Sequence, residues 1–390
     1  MMQHGVLSIK ALPQMLSKSL RVLICAGGTG GGIYPALAAV SELEKRGLDR
    51  DQVLWVGTQG EMEERLVPAQ RLRLETIRGG AIVGVRLRTS LRNGAQLTWS
   101  IGRALRLIRE FRPDVMFMTG GYMAAPVAIA ATMQRVPIGI FLPDVEPGTG
   151  IRFAVPLSQQ IACTTDGSAA YVPPRKMVVT GYPVRPELRA ANQMTKRDAL
   201  AMFDLLPGRP ALFVFGGSRG AQNINRALMA VLPELLARYQ VIHISGELTW
   251  PEVADNHQGL SAEQQRWYRP YPYLHRRMGA AFRAADLVVA RAGASMLGEG
   301  PAFGLPAVLV PLTFAWRYQK VNADYLTERG AAIQLTDETL HEQLLPAVQG
   351  LLDDSGRLAA MGGAARALDK PDATARLADF IVALAKDRNA

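Results

Sequence analysis

The chain has 390 residues, 48% of them hydrophobic and 20% charged, and its formal net charge is +10. This length is too great for one ordinary domain and suits two, and the apolar content is that of a soluble globular protein. No stretch approaches the roughly 18 to 20 uninterrupted apolar residues of a membrane-spanning helix, so none is expected.

The first twenty residues, 1–20, are mildly basic and mildly apolar, without the longer apolar stretch and cleavage site of a signal peptide. We expect an irregular leader or a misplaced start codon there, because the first core strand begins at Arg21. The two cysteines, Cys25 and Cys163, lie in apolar strand-like runs. They are predicted to be reduced core residues of a cytosolic protein, not a disulfide or a metal pair.

Short apolar runs alternate with helical patterns along the chain. The predicted strands of the first half are 21–26, 52–58, 114–120, 137–142, 160–164 and 176–181, and those of the second half are 211–217, 239–246, 285–293, 307–312 and 331–335. Buried strands between amphipathic helices are typical of parallel sheets. We predict two doubly wound α/β domains facing a cleft, residues 21–185 and 186–390, joined at 181–192. The last helix, 373–386, is expected to pack back on the first domain.

Each half opens with a strand, a glycine loop and a helix, "CAGGTGGGIYPAL" from Cys25 and "VFGGSRGAQNIN" from Val214. Glycines let the backbone approach a ligand, and the following helix start offers free amides to an anion. A tight turn under the sheet is the alternative. A dinucleotide fingerprint would need glycine at Ile33, and an ATP-binding P-loop would need Gly-Lys-Ser/Thr at its end. Neither NAD nor ATP is favoured, and we expect no cofactor.

The positive charge is concentrated between Arg65 and Arg112, where eleven arginines and two glutamates give a net charge of +9. Such a field attracts nucleic acid, an acidic lipid surface or a phosphorylated substrate. Apolar residues alternate with the arginines over 78–112, which favours an anionic membrane surface. No nucleic-acid module or stacking aromatic cluster accompanies the charge, so we expect no nucleic acid. Residues 97, 101, 105 and 108 have the spacing of a helix core face.

A third segment, 291–326, follows a predicted strand that ends at Arg291. The small residues 292–295 predict a tight turn, and Glu299 lies one helical turn beyond Ser295. A carboxylate there can accept two ribose hydroxyls while the helix start faces phosphate. Taken alone, the position of Glu299 favours a solvated helix residue over a ribose ligand.

Together, seven segments resemble the MurG family of glycosyltransferases, in family order and at family spacing from about residue 21 onward. They are "GGTGG" with "YPALA" (27–38), "GGYMAAP" (120–126), "GYPVR" (181–185), "GGSRGAQNIN" (216–225), "RAGAS" (291–295), "GLPAVLVP" (304–311) and "QKVNA" (319–323). The resemblance implies a GT-B fold and an inverting, metal-independent transfer of N-acetylglucosamine. The donor would be UDP-N-acetylglucosamine, and the acceptor would be lipid I, a polyprenyl-diphosphate glycopeptide, giving lipid II. Such an enzyme works as a peripheral protein at the cytoplasmic face of the cell membrane.

The resemblance also implies site residues. The acceptor would lie mainly in the first domain and the nucleotide mainly in the second. The diphosphate and sugar would meet Thr29, Gly30 and Gly31, and the diphosphate also Arg185 and Ser218. The uracil would lie near Leu274 and His275, and the sugar would contact Gln319. Glu299 would accept the ribose hydroxyls. The phosphate and ribose would lie along Ala294, Ser295, Met296, Leu297, Gly298 and Glu299. No histidine or Asp-x-Asp arrangement indicates a metal ion.

The chain departs from the family pattern where a base is needed. The family loop ends in histidine, a candidate general base, and here Gly32 stands in its place. The family's His-Glu-Gln-Asn at the end of the predicted strand 137–142 is replaced by 141–144, where Phe141 stands for the histidine, Leu142 for the glutamate and Asp144 for the asparagine. Tyr182 replaces another asparagine. We expect Asp144 to be the base, with Glu146 second and Glu63 and Glu64 more distant; a turn residue before Pro147 is the alternative for Asp144.

Rival hypotheses follow from the same departures. One is a related GT-B transferase with another lipid or small-molecule acceptor, or a UDP-sugar epimerase on the same scaffold. Another is a UDP-sugar-binding protein with weak turnover, because the loop histidine is Gly32. An assay of sugar transfer from UDP-N-acetylglucosamine to a lipid I analogue distinguishes these hypotheses.

Overall fold

The structure, a computed structural model, describes residues 20–28, 30–77, 87–121, 123–216, 221–312 and 317–387. Its strands form two parallel sheets, as the alternating pattern predicts. The first sheet has seven strands in the order β3-β2-β1-β4-β5-β6-β7. Their bounds are β1 Val22–Cys25, β2 Val53–Thr58, β3 Arg73–Ile77, β4 Val115–Met118, β5 Ile138–Leu142, β6 Gln160–Cys163 and β7 Met177–Val179. The helices of this half are α1 Gly30–Lys45, α2 Glu63–Ala69, α3 Leu87–Phe111, α4 Ala124–Met133 and α5 Thr149–Ala154.

The second sheet has six strands in the order β10-β9-β8-β11-β12-β13. They are β8 Ala211–Phe215, β9 Gln240–Ile244, β10 Tyr268–Tyr271, β11 Leu287–Ala290, β12 Ala307–Leu309 and β13 Ala332–Gln334. The helices are α6 Pro186–Ala191, α7 Lys196–Ala201, α8 Gln222–Arg238, α9 Trp250–Gly259, α10 Ala262–Trp267, α11 Met278–Ala284, α12 Glu299–Phe303, α13 Arg317–Glu328, α14 Leu340–Leu352, α15 Ser355–Leu368 and α16 Ala373–Asp387. The predicted α/β class with two parallel-sheet domains is confirmed.

The central strands are apolar because both of their faces are covered by helices. Every residue of β1, β2, β4, β5, β8 and β9 is buried. The two strands that the sequence does not predict, β3 and β10, are edge strands, and most of their residues are at least partly exposed. Such strands have mixed polar sequences, and Pro270 within β10 is tolerated at an edge.

The chain passes between the two sheets twice. Gly181, with φ of 89°, follows β7, and a side chain there would meet Lys370, where the chain returns. Arg189 binds Asp369 beside this crossing through two hydrogen bonds of 2.6 Å. The crossing keeps the hinge segment 181–185 beside the start of the last helix.

The last helix, α16, packs on the first sheet. It contacts α1 and strands β4, β5 and β6. Gly139 in β5 makes room for it, since a side chain there would collide with Leu384 and Phe380. Arg46 at the end of α1 forms an ion pair with Asp379 and donates to the carbonyl of Ala375 at 3.2 Å.

Helix α3 presents a core face that differs from the predicted one. Only residue 108 of the four predicted core positions is buried, and 97, 101 and 105 are half-buried. The buried face is instead formed by Ser100, Ala104, Leu107, Ile108 and Phe111. Over the residues that the structure describes, we find no helix of the length and apolar character that crossing a bilayer requires.

Candidate active site

Loops at the carboxyl ends of both sheets meet in a cleft, the usual position of a ligand site in doubly wound folds. The contacts across it are specific. The backbone N–H of Val145, after β5, donates to Oδ1 of Asn322 in α13 at 2.9 Å. Tyr325, one turn further along α13, donates to Asp166 after β6 at 2.8 Å. Helix α13 therefore brings the second domain against two loops of the first.

The glycine loop after β1 lies on a buried carboxylate. Glu63, at the start of α2, is 0% exposed, and its oxygens accept the N–H of Gly28 at 3.1 Å and of Thr58 at 2.8 Å. A side chain at Gly27 would lie 2.2 Å from Oε1 of Glu63, so only glycine fits there. Gly28 has φ of 81°, in the left-handed region that favours glycine. This carboxylate thus holds the loop through its backbone; its neighbour Glu64 is exposed on α2.

The free amides of this loop lie further on. The N–H of Gly28 is taken by Glu63, whereas Gly30 and Gly31 stand in the first turn of α1. First-turn N–H groups have no partner within the helix and can face an anion. Thr29, the third predicted residue of the loop, lies outside the described residues.

Position 32, where the family pattern has histidine, has no proton acceptor. Gly32 is buried in α1, and a Cβ there would lie 2.9 Å from Oγ1 of Thr119, after β4. The Thr119 side chain is buried, and its hydroxyl has no hydrogen-bond partner within the described part of the chain. The space beside the backbone at Gly32 is therefore taken in part by Thr119.

Asp144 lies in the loop after β5 and is half-buried. Nδ2 of Asn322 donates to its Oδ1 at 2.7 Å. Burial raises the pKa of the Asp144 carboxyl to about 6, although the Asn322 hydrogen bond favours the charged form. A carboxylate with this pKa can accept a proton from a substrate near neutral pH.

Glu146 has a different environment two residues further on. It is 1% exposed, and Oε1 accepts from the guanidinium of Arg152 in α5 in a close ion pair. Arg152 also donates to the carbonyl of Pro147 at 2.9 Å, which fixes its side chain against this loop. The Glu146 carboxylate is therefore engaged in holding Arg152 against this loop.

Two departures from the family pattern pack against each other. The ring of Phe141, which replaces a histidine, lies 6.4 Å from the ring of Tyr182, which replaces an asparagine. Both are buried, and a side chain at Gly298 would collide with Tyr182. Where the family pattern has two polar residues, Phe141 of the first domain therefore packs on Tyr182 of the hinge. This contact lies beside Gly298, next to Glu299.

Arg185 and Glu299 form the charged centre of the cleft. Nη2 of Arg185, at the end of the hinge, lies 3.4 Å from Oε1 of Glu299. The Arg185 guanidinium also stacks on Tyr34 of α1, 5.0 Å from the ring centroid. Glu299 is 5% exposed; burial raises its carboxyl pKa, opposed by Arg185 and by the Ser295 hydroxyl. One guanidinium thus contacts side chains of both domains.

The remaining predicted residues line the second-domain side. Ala294, Ser295, Met296 and Leu297 form a single 3₁₀ turn after β11, with Gly298 between it and α12. Leu274 is buried, whereas His275 is exposed, with its ring against Tyr273 at 4.6 Å. Oε1 of Gln319, in α13, accepts the N–H of Leu312 at 3.0 Å. Ser218 lies outside the described residues.

The structure joins Arg185 to Glu299 and to the start of α1 by direct contacts, and it adds three residues that sequence reasoning does not single out. Tyr34 contacts Arg185, Thr119 faces Gly32, and Asn322 holds Asp144. Asn322 does belong to the "QKVNA" segment of the resemblance, so its motif was visible but its partner was not. Within the described ranges, no group of three or more His, Cys, Asp or Glu side chains could hold a metal ion.

Part of the arginine-rich segment is paired within the first domain. Arg103 binds Glu75 at 3.1 Å and Arg106 binds Glu110 at 2.8 Å. Arg109 is exposed, and Trp99 is 55% exposed on the same helix. Residues 78–86 of the predicted membrane segment lie outside the described residues.

Comparison with known proteins gives consistent matches over nearly the whole chain. Residues 22–154 match the "Glycosyltransferase family 28 N-terminal domain", and residues 211–377 match the "Glycosyltransferase family 28 C-terminal domain". A protein of Roseiflexus sp. (strain RS-1) is 37% identical, over 94% of this chain and 95% of its own length. A protein of Listeria monocytogenes is 31% identical, over 94% of this chain and 100% of its own. Both are named UDP-N-acetylglucosamine--N-acetylmuramyl-(pentapeptide) pyrophosphoryl-undecaprenol N-acetylglucosamine transferase.

Solved structures agree with these matches. The crystal structure of Acinetobacter baumannii MurG superposes with a TM-score of 0.73 at 25% identity, covering 93% of this chain and 99% of that chain. A UDP-GlcNAc 2-epimerase from Neisseria meningitidis, bound to UDP-GlcNAc, has a TM-score of 0.63 at 13% identity over 93% of this chain and 100% of its own. The second likeness shows the shared GT-B fold only.

Proposed function

The chain belongs to the MurG family of glycosyltransferases, and from this premise we propose how its cleft performs the family's reaction. The protein is a UDP-N-acetylglucosamine-dependent N-acetylglucosaminyltransferase. It transfers the sugar to N-acetylmuramyl-(pentapeptide) pyrophosphoryl-undecaprenol, lipid I, and so forms lipid II for peptidoglycan. The roles of individual residues are the subject of the proposal, and the observation that carries it is the Asp144 carboxylate held by Asn322 in the cleft.

The donor is proposed to lie along the second domain. Glu299, buried beside Ser295, would accept the two ribose hydroxyls, and the 294–297 turn would face the phosphates. Leu274 and His275 would border the uracil, and Gln319 the sugar. The proposal is supported by their position on loops that follow strands of one sheet and on α13, which crosses the cleft.

The leaving UDP is proposed to be stabilised by fixed positive groups. Arg185 lies between Glu299 and Tyr34, at the point where the hinge meets both domains. A guanidinium can form two parallel hydrogen bonds to a phosphate. The amides of Gly30 and Gly31 at the start of α1, with Thr29 and Ser218, would complete the diphosphate site, since preorganised donors stabilise developing charge.

Asp144 is proposed as the general base. The acceptor hydroxyl attacks the anomeric carbon, its proton passes to the Asp144 carboxylate, and the bond from that carbon to the diphosphate oxygen breaks as UDP leaves. General-base assistance typically contributes about 10² to 10⁴ in rate. A raised pKa, a partly exposed position and the absence of an acceptor at Gly32 support Asp144 over Glu146 and Glu63.

The decisive experiment combines the purified protein with UDP-N-acetylglucosamine and a lipid I analogue. UDP release only when the acceptor is present, with formation of the lipid II product, is the expected result. Donor binding without turnover would identify a UDP-sugar-binding protein, and 2-epimerised sugar without acceptor would identify an epimerase. Turnover with another acceptor alone would assign a different GT-B transferase.

The base is tested by Asp144→Asn, which keeps the shape of the side chain and removes its proton-accepting charge. We expect kcat to fall at least about tenfold with little change in donor affinity. In the unsubstituted enzyme, kcat should fall as pH drops through about 6, because Asp144 becomes protonated there. An unchanged rate in the Asp144→Asn variant would remove Asp144 as the base.

The membrane location is proposed from the first domain. The acceptor is a lipid diphosphate, and exposed Trp99 and Arg109 lie on α3, which belongs to the arginine-rich part of the sequence, 78–112. Each arginine near anionic headgroups is worth about 1 kcal/mol. We expect the protein to sediment with vesicles that contain an acidic phospholipid at low salt and to stay in solution with neutral vesicles. Equal sedimentation with both would argue against this surface at the cytoplasmic face.

A further inference from the structure

We infer that Asn322 is a positioning residue, which holds the Asp144 carboxylate in the cleft and joins it to the segments proposed to bind the donor. The inference deepens the proposed function and rests on the proposed role of Asp144. Asn322 itself touches neither substrate nor reacting atoms in this assignment; it acts through Asp144.

The Asn322 amide is buried and shared among three segments. It is 1% exposed. Its Nδ2 donates to Oδ1 of Asp144 at 2.7 Å and to the carbonyl of Ala292 at 3.0 Å, and its Oδ1 accepts the N–H of Val145 at 2.9 Å. Each of these bonds is within the ordinary range for a strong hydrogen bond. A buried amide with three fixed partners has little freedom to rotate, so Oδ1 of Asp144 is held in one place.

The three segments have different proposed roles. Asp144 and Val145 belong to the loop of the first domain that would carry the base. Ala292 opens the turn that leads to Glu299 in the second domain. Asn322 itself stands three residues after Gln319, so it lies one turn along the helix that would contact the sugar. The Asn322 side chain thus links the proposed base to the turn that leads to Glu299 and to helix α13, across the cleft.

The arrangement leaves one carboxylate oxygen for chemistry. Asn322 occupies Oδ1 of Asp144, while Oδ2 has no hydrogen-bond partner in the part of the chain that the structure describes. A base needs a fixed position within hydrogen-bond reach of the proton it removes. An unheld aspartate would sample several rotamers, and misplacing a reacting group by about 1 Å can cost on the order of 10² in rate.

Two titratable groups near Asp144 belong to the described residues of the hinge and of its own loop. Tyr182 lies in the hinge, and the charge of Asp144 is among the causes that raise the pKa of that phenol. Glu146, on the same loop, is paired with Arg152. Asn322, from α13, supplies a neutral donor. Replacing that donor by an acid would place a second carboxyl beside Asp144, and like charges at this distance raise the pKa of the pair.

The main test is the pH profile of Asn322→Asp. The variant keeps the size of the side chain and an acceptor for the N–H of Val145, but it replaces the donor to Asp144 by a carboxyl. We expect kcat at pH 7 to fall at least about tenfold and to recover as the pH rises. The pH at which kcat falls to half of its maximum on the acid side should rise by at least about one unit. An unchanged midpoint together with a normal kcat would overturn the positioning role of Asn322.

The reciprocal double variant, Asn322→Asp with Asp144→Asn, separates the hydrogen bond between the two side chains from the proton transfer. It restores an amide-to-carboxylate pair with the two groups exchanged. Thermal stability is therefore expected to recover part of what Asn322→Asp loses, while kcat stays as low as in Asp144→Asn. If the exchanged pair instead regained normal kcat, Asp144 would not be the base and the pair would serve only to join the domains.

Tyr325→Phe is the matched control. It removes the 2.8 Å hydrogen bond to Asp166, which also joins α13 to the first domain, and leaves Asp144 untouched. We expect the kcat pH profile to keep its midpoint. A shift like that of Asn322→Asp would mean that any weakened domain contact moves the profile, which would overturn the specific role of Asn322. Failure of the proposed base would show separately, as a normal rate in Asp144→Asn alone.

Discussion

The two domains each bury a glutamate beside a glycine-containing loop, and the two side chains are satisfied in opposite ways. Glu63 in the first domain accepts two backbone N–H groups, from Gly28 and Thr58. Glu299 in the second faces the side chain of Arg185 at 3.4 Å and the hydroxyl of Ser295. Both are nearly inaccessible, so burial alone does not distinguish a structural carboxylate from a binding one.

The identity of the partners does distinguish them. Backbone N–H groups cannot move away without unfolding the loop, so the Glu63 carboxylate is committed to holding that loop. A guanidinium and a hydroxyl can turn toward a diphosphate or a ribose and leave Glu299 free to do the same. We therefore expect one substitution, glutamate to glutamine, to affect donor binding in one domain and loop stability in the other.

Glu299→Gln should have the largest effect. It keeps the shape but removes the charge that would accept the ribose hydroxyls, and hydrogen bonds to charged groups contribute about 1.5 to 3 kcal/mol. We expect kcat/KM for UDP-N-acetylglucosamine to fall about 10- to 100-fold, mostly through KM, with a nearly normal melting temperature. Steady-state kinetics with varied donor measures this. A normal KM would place the ribose elsewhere.

Glu63→Gln should act mainly on stability. One N–H of Gly28 or Thr58 would then face an amide donor in a buried site, which costs about 1 to 3 kcal/mol. Hydrogen exchange of these two amides should speed up, and the donor KM should change less than in Glu299→Gln. Glu64→Gln, on the exposed side of the same helix, is the control and should change neither. Unaltered exchange at Gly28 and Thr58 would contradict the assigned role of Glu63.

These side chains also show what the sequence could reveal. The α/β alternation, the glycine loops and the turn before Glu299 were predictable because each depends on neighbouring residues. The partners of the carboxylates were not: Gly28 and Glu63 are 35 residues apart, and Asp144 and Asn322 are 178 apart. The sequence ranks Asp144, Glu146 and Glu63 only as candidate bases. Packing shows that Glu63 anchors a backbone loop, that Asp144 is held by Asn322 and that Glu146 pairs with Arg152. The edge strands β3 and β10 were missed because exposed strands lack the apolar pattern.

Arg185→Lys should sharpen the comparison with a smaller effect. Lysine keeps the charge opposite Glu299 but loses the planar fork and the stacking on Tyr34. We expect the affinity for UDP to fall about threefold to tenfold, equivalent to about 1 kcal/mol, as measured by calorimetry. The loss should be similar for UDP and for UDP-N-acetylglucosamine, since the proposed contact of Arg185 is to the diphosphate. A loss confined to the sugar nucleotide would move Arg185 to the sugar.

Gly32→Ala should have the smallest effect, and Gly27→Ala is its contrast within the same loop. At Gly27 the new methyl would lie 2.2 Å from Oε1 of the fixed Glu63, and the loop must move. At Gly32 it would lie 2.9 Å from Oγ1 of Thr119, a hydroxyl that is tied to no partner in the described residues and can rotate. Alanine also gains about 0.5 to 1 kcal/mol over glycine within a helix. The free energy of unfolding of Gly32→Ala should therefore stay within about 1 kcal/mol of the original, and denaturant titration of both variants measures the difference. Equal destabilisation by the two substitutions would show that Thr119 is held as firmly as Glu63.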